Sequence, residues 1–162
     1  MYRIVYSDNY ILDLLIMFLI NLVLIFRLVK TEGFGKKEQW FLKLLLIGEV
    51  CIFSDILCVG LQGRVSEKVF FALNAVFYLS YIVQMYILLQ HTKKICTEEK
   101  YYKGVGNQII ALIPLLVVIV LTIVSYWTGW VFYVDSHGVY GRGEFYNFYY
   151  DMGLFFMISM IV

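Results

Sequence analysis

Long apolar segments are the feature of this sequence that most limits how the chain can fold. An α-helix needs roughly 20 apolar residues to cross a hydrocarbon core about 30 Å thick, and several such segments follow one another here. They predict an all-α integral membrane helix bundle with about five transmembrane helices, at about residues 10–29, 40–61, 69–89, 108–127 and 145–162.

The composition leaves little room for a soluble domain. Of the 162 residues, 62% are hydrophobic and 15% are charged, whereas soluble domains are about 45–50% apolar and about 25% charged. We therefore interpret residues 1–162 as a single multi-pass membrane domain. The last apolar segment, counted from Tyr146, has only 17 residues, which is the short limit for a span. We expect this domain to be truncated at its C-terminus.

The distribution of Lys and Arg predicts the orientation, because these residues accumulate in short cytoplasmic loops. Nine of them flank the loops after the first and third helices, and four lie on the other side. The nine are Arg27, Lys30, Lys36, Lys37, Lys43, Lys93, Lys94, Lys100 and Lys103, and the four are Arg3, Arg64, Lys68 and Arg142. The start, MYRIVYSDNY, lacks the features of a cleaved signal peptide. We expect a multi-pass protein of the cell membrane with its N-terminus outside.

A short extracytoplasmic β-hairpin is predicted between helices 4 and 5, at about residues 130–143. Residues 131–134 are strand formers, 135–138 have the composition of a turn, and 139–140 resume a strand. Two strands alone are marginal in water, so the hairpin must rest on the helix ends or at the lipid interface. Its candidate site residues are Trp130, Asp135, Tyr140, Arg142 and Gly143, with Asp135 and Glu144 as potential ion-pair partners of Arg142.

Polar residues inside the apolar segments are the second group of candidates, because an ionisable side chain at the centre of a span costs about 2.5–3.5 kcal/mol. A step of about 100° per residue places Ser54 and Asp55 on one stripe of helix 2 and turns Glu49 about 120° away from Asp55. Asp13, Asp55, Asn74 and Tyr78 fall in the outer half of the membrane. The whole set forms either a polar pocket for a ligand or ion, or a group of interhelical hydrogen bonds worth about 0.6–2 kcal/mol each. Its members are Asp13, Asn21, Glu49, Ser54, Asp55, Asn74 and Tyr78.

Signals for chemistry are weak. No Ser/His/Asp, Cys/His or paired-acid set is recognisable, so we expect neither an enzyme nor catalytic residues in this chain. The two histidines are far apart and the three cysteines form no CxxC, so we expect no metal site, no disulfide and no cofactor. A net charge of +1 argues against nucleic-acid binding.

Three stretches together resemble a known family. They are SDILCVGLQG (residues 54–63), FALNAVFYLSYIVQMYILL (71–89) and TGWVFYVDSHGVYGRGEFYNFYY (128–150). They are similar to the N-terminal multi-helix membrane region of clostridial GGDEF proteins, in which a strand, a turn, a Tyr and an Arg-Gly pair link two transmembrane helices. The corresponding residues here are Phe132, Asp135, Tyr140, Arg142, Gly143 and Tyr146.

The resemblance implies a sensory or anchoring input module of a bacterial signalling protein, with about six or seven helices that lead into a cytoplasmic diguanylate cyclase domain making cyclic di-GMP. No GG[DE]EF stretch and no soluble domain occur in this sequence. The partners implied are the lipid bilayer, a C-terminal cytoplasmic output domain of the parent chain, a small ligand and, as an open alternative, a second copy in a homodimer. A small transporter or permease fragment that uses the intramembrane acids is the alternative function.

Overall fold

The computed structural model of the protein describes residues 8–30, 35–96, 105–135 and 137–161. Within these ranges the chain is mostly helical, with one small antiparallel hairpin near its C-terminus, as predicted. The elements are α1 (Asp8–Val29), α2 (Lys36–Leu61), α3 (Glu67–Cys96), α4 (Val105–Thr128), β1 (Phe132–Val134), β2 (Tyr140–Arg142) and α5 (Tyr146–Ile161).

The predicted boundaries differ most from the structure at the end of α3. Hydropathy ends this helix near Leu89, whereas the structure continues it to Cys96. Polar residues with adequate helix propensity, such as Gln90 and Lys93, extend a helix without extending its apolar segment. The helix is therefore longer than the apolar stretch from which it was predicted.

Three helices are long and apolar enough to cross a membrane, which supports a membrane protein. Their candidate spans are Tyr10–Val29, Glu38–Leu61 and Glu67–Lys93. The apolar part of α4 found within the described residues is the shorter stretch Leu112–Thr128, and α5 has 16 residues, below the roughly 17–25 that a span requires. Length and composition thus support three of the five predicted spans.

Helix α3 is the centre of the bundle, since it contacts α2, α4, α5 and β1. Helix α1 packs on α2 and leaves most of its apolar side chains exposed, with Leu14 as its buried residue. The core lies between α3, α4, α5 and the hairpin. Its fully buried side chains include Ile82, Phe132 and Phe156, each with 0% exposure.

Helix α5 approaches α3 closely at Gly153. A Cβ atom at this position would lie 2.8 Å from the Tyr81 hydroxyl oxygen. The Tyr149 hydroxyl donates a 2.6 Å hydrogen bond to the backbone carbonyl of Tyr78, and Phe156 meets Tyr86 edge to face. Small residues at helix contacts permit such close packing in membranes, so α5 is fixed along α3 on both sides of Tyr81.

Candidate functional site

The hairpin turn is closed by the side chain of Asp135. Its carboxylate oxygen Oδ1 accepts hydrogen bonds from the backbone N–H groups of His137 (2.9 Å) and Val139 (2.8 Å). The Asp135 carbonyl accepts from the Gly138 N–H at 2.9 Å, and Gly138 has a φ of +71°. Asp in the first position and Gly in the left-handed position suit such a turn, so the local sequence specifies it.

This turn is docked on the connection between α2 and α3. The Gly63 N–H donates a 3.3 Å hydrogen bond to the Gly138 carbonyl. A Cβ on Gly138 would lie 3.3 Å from the Cα of Gly63, so two glycines allow the two turns to touch. The hairpin therefore covers the end of the bundle formed by the α2–α3 connection, the C-terminus of α4 and the N-terminus of α5.

Ser125 holds the other end of the hairpin. Its hydroxyl donates to the Phe132 carbonyl at 2.7 Å and accepts from the N–H groups of Val131 and Phe132, both at 3.1 Å. The side chain is only 1% exposed. One serine in the last turn of α4 thus satisfies three backbone groups that would otherwise be buried without partners.

The chain leaves the hairpin through Gly143. Its N–H donates to the Val131 carbonyl at 2.9 Å, and the Phe145 N–H donates to the Trp130 carbonyl at 2.8 Å. A Cβ on Gly143 would collide with the carbonyl oxygens of Gly129 and Trp130. A residue without a side chain is required at this point to bring α5 back beside α4.

Phe132 joins the hairpin to α3. Its ring stacks on Phe71 (centroids 4.7 Å apart) and Tyr78 (4.9 Å). The hydroxyl groups of Tyr78 and Tyr140 are hydrogen-bonded to each other. Offset or edge-to-face aromatic pairs contribute about 0.5–1.5 kcal/mol each beyond their buried area, so this cluster fixes the hairpin on the face of α3.

A cavity of about 210 Å³ lies beneath the hairpin. It is formed jointly by α1, α2, α3, β2 and α5, and its wall combines aromatic rings with one acid and one base. We call it the Asp55 cavity; its lining residues are Tyr10, Asp55, Cys58, Asn74, Phe77, Tyr78, Tyr140, Arg142, Tyr146 and Tyr150.

Asp55 is the acid of this cavity. The Tyr10 hydroxyl donates a 2.5 Å hydrogen bond to its Oδ2 atom, and within the described parts of the chain no cationic side chain forms an ion pair with it. The Asn74 amide donates to the Phe70 carbonyl of its own helix at 2.9 Å. Asp55 therefore presents a carboxylate to the cavity with one hydroxyl as its hydrogen-bond donor.

Arg142 is the base. Its guanidinium carbon lies 4.4 Å from the centroid of the Tyr146 ring, a cation–π distance. Neither Asp135 nor Glu144 forms the ion pair with Arg142 that the sequence suggested, since the Asp135 carboxylate is used by the turn. Burial raises the pKa of the neighbouring Tyr140 phenol, and the positive charge of Arg142 offsets part of this rise.

The structure brings together three of the predicted pocket residues, namely Asp55, Asn74 and Tyr78. Ser54 does not line the cavity and donates to the Val50 carbonyl within α2 at 2.6 Å. Asp13 is exposed on α1 and does not line the cavity.

Asn21 and Glu49 form a separate polar contact. The Asn21 side chain approaches Glu49 from α1, yet both Glu49 carboxylate oxygens are buried without a geometrically acceptable hydrogen bond. Glu49 is 8% exposed and lies midway between the ends of α2. Glu49 and Asp55 thus both contact α1, through Asn21 and Tyr10, although they point about 120° apart around α2.

The remaining hairpin candidate, Trp130, lies at the rim of a wider groove of about 560 Å³ between the start of α3, the end of α4 and the hairpin. Trp127, Trp130 and Tyr133 are exposed there, and such rings favour a membrane–water interface. Among the described residues, no group of three His, Cys, Asp or Glu side chains is arranged to hold a metal ion.

Sequence reasoning missed Tyr10, Tyr150 and Ser125. Tyr10 lies one turn before Asp13, so its proximity to helix 2 was open to inference from the packing of adjacent helices. Ser125 carries no such signal, because a single serine in an apolar helix usually bonds to its own backbone. Its role exists only because the hairpin folds back over α4.

No family model, no curated protein and no solved structure matches the chain. The geometry of the Asp55 cavity and of the hairpin above it is therefore the basis for a function.

Proposed function

We propose that this chain is the membrane-embedded sensory input module of a bacterial signalling protein, and that the Asp55 cavity is its input site. The observation that carries the proposal is the composition of the cavity wall. Residues from α1, α2, α3, the hairpin and α5 all contribute to it, so a molecule inside it contacts four of the helices and the hairpin at once.

Tyr78 is the residue through which occupancy would reach α5. Its hydroxyl is bonded to Tyr140 of the hairpin, and its backbone carbonyl accepts the hydroxyl of Tyr149 from α5. A ligand that competes for the Tyr78 hydroxyl perturbs the same segment of α3 that holds α5. The ligand must favour one packing over the other, because equal affinity for both shifts nothing.

The proposed topology has five spans in the cell membrane, an external N-terminus and an external hairpin. It rests on the nine cations of the two loops opposite the hairpin and on the positive-inside rule. The ends of α3 and α5 remote from the hairpin then face the cytoplasm. The resemblance to the membrane region of clostridial GGDEF proteins suggests a diguanylate cyclase as the output domain. A homodimer of the membrane module would bring two such domains together.

The test uses residues 1–162 joined to a diguanylate cyclase domain in a bacterial host, with cyclic di-GMP and membrane abundance measured together. Asp55→Asn removes the cavity charge and retains its shape, and Asp13→Asn is the matched control on an exposed position. We expect Asp55→Asn to change cyclic di-GMP per molecule at least twofold and Asp13→Asn to leave it unchanged. Equal output from both variants, or a change that follows abundance alone, would contradict the proposal.

A small transporter is the second candidate, because Glu49 is buried, lacks hydrogen bonds and lies at the middle of α2. Intramembrane acids of this kind occur in proton and ion pathways. Proteoliposomes loaded with a pH-sensitive dye test this function. A proton flux that Glu49→Gln abolishes and Asp13→Asn preserves would establish transport, and the absence of flux in the unmodified protein would exclude a proton pathway.

A further inference from the structure

We propose that the Asp55 cavity binds a small zwitterion, a molecule with one ammonium and one carboxylate group. This inference deepens the proposed function by naming the class of ligand at the input site. It rests on the cavity holding one acid and one base, neither of which has an oppositely charged partner among the residues that the structure describes.

The ammonium end is assigned to Asp55. A carboxylate within a membrane helix is costly unless it is paired, and the Tyr10 hydroxyl is a neutral donor that leaves the negative charge uncompensated. An ammonium group in the cavity would supply the missing charge. The tyrosine and phenylalanine rings of the wall favour the same group, because aromatic faces attract cations.

The carboxylate end is assigned to Arg142. A guanidinium has five N–H donors in a plane, and its contact with the Tyr146 ring is a cation–π contact that leaves N–H donors available for a ligand. Arginine binds carboxylates through two parallel hydrogen bonds. Arg142 belongs to the hairpin, whereas Asp55 belongs to α2, so a ligand that joins them would link the hairpin to the bundle.

The volume restricts the ligand to small molecules. The cavity measures about 210 Å³, below the roughly 300–1,000 Å³ of sites for drug-sized ligands. Amino acids with small side chains and methylated derivatives such as glycine betaine match both the size and the two charges. A nucleotide or a phospholipid is too large for this volume.

The test compares probes of the same size that differ in charge, using the complete chain in nanodiscs of phosphatidylethanolamine and phosphatidylglycerol. Glycine betaine is the zwitterion, choline carries only the cation, and 3,3-dimethylbutyrate carries only the anion. L-alanine, alaninamide and propionate form a second set for a primary ammonium. Binding is measured by isothermal titration and by saturation-transfer NMR.

We expect at least one zwitterion to bind at least tenfold more tightly than both of its singly charged counterparts. Asp55→Asn should remove most of the advantage over the anion, and Arg142→Gln should remove most of the advantage over the cation. Asp13→Asn and Arg64→Gln are charge controls outside the cavity and should bind as the unmodified chain does. Far-ultraviolet circular dichroism checks that each variant keeps its helices.

Several results would overturn the inference. They are the failure of both zwitterions to bind more tightly than their singly charged counterparts, or loss of binding in the two control variants. The sensory role fails separately: a zwitterion that binds as expected but leaves the cyclic di-GMP output of the fusion unchanged would refute that role and retain the binding site. A changed cyclic di-GMP output in Asp55→Asn, without binding of any zwitterion to the unmodified chain, would refute the zwitterion site and retain the sensory role.

Discussion

Replacing Ser125 with Ala should release the hairpin from α4. The substitution removes one oxygen atom, and with it the donor to the Phe132 carbonyl and the acceptor for the N–H groups of Val131 and Phe132. The methyl group of alanine fits the space of the serine side chain, so the change in packing is small. The effect on stability should come from the unsatisfied backbone.

The magnitude follows from the number of groups affected. A buried polar group left without a partner costs about 1–3 kcal/mol, and two N–H groups lose their acceptor together. We expect the hairpin to lose about 2–6 kcal/mol of stability against local opening, with the lower end applying if water reaches Val131. Since about 1.4 kcal/mol is a factor of ten in an equilibrium constant, amide exchange should accelerate by about 30-fold or more.

Hydrogen exchange measured by mass spectrometry on residues 129–143, in nanodiscs, is the assay. Thr128→Ala is the matched control, because the Thr128 hydroxyl also accepts a backbone N–H, from Trp130 at 3.3 Å, but is exposed. Water replaces an exposed hydrogen bond at little cost, so this control should change exchange by less than about threefold. Similar exchange in the two variants would refute the assigned role of Ser125.

Three further predictions concern the hairpin and the topology. Gly143→Ala should destabilise the protein by about 1–3 kcal/mol or more, because the added Cβ overpacks against two backbone carbonyls. The control Gly60→Ala, at a glycine with open space around it, should be neutral or stabilising. Equal melting temperatures of the two variants would contradict this prediction. Burial raises the pKa of Tyr140 above the ordinary value of 10.0, so the unfolded state loses the phenol proton first and stability should fall as pH rises past about 10. Tyr140→Phe should make that fall shallower. Unaltered unfolding curves from pH 8 to 11 would argue against a buried phenol. Cysteine at His137 should react with an external, membrane-impermeant maleimide and cysteine at Lys30 should not, whereas the reverse labelling would invert the proposed topology.

Much of the fold follows from two local features of the sequence, the apolar segments and the turn residues between two of them. Apolar segments predicted the helices, and the turn residues at 135–138 predicted the hairpin. The structure adds the register of its strands, Phe132 with Arg142 and Val134 with Tyr140. These predictions succeeded because each depends on neighbours within one element.

Contacts between distant elements were less accessible. The sequence paired Arg142 with Asp135 or Glu144 because of their opposite charges. In the structure the Asp135 carboxylate accepts backbone N–H groups of the turn, and the guanidinium of Arg142 lies over the Tyr146 ring at the start of α5. Asp13 shares a helix with Tyr10, but its own side chain points away from the cavity. Five spans were predicted, and length and composition support three of them; α4 and α5 stay predictions, because the apolar stretch found in α4 is short and α5 has 16 residues.

The central claim is that the Asp55 cavity controls how α5 packs in the bundle. It is tested most directly by a pulsed EPR distance between spin labels at Gln39→Cys on α2 and Ile158→Cys on α5, exposed positions remote from the hairpin, with the native cysteines Cys51, Cys58 and Cys96 replaced by Ala. We predict that Asp55→Asn shifts the distance distribution by about 1–2 Å or more, the scale of helix shifts in switching proteins, and that Asp13→Asn does not. Identical distributions for Asp55→Asn and the unmodified bundle would contradict the claim.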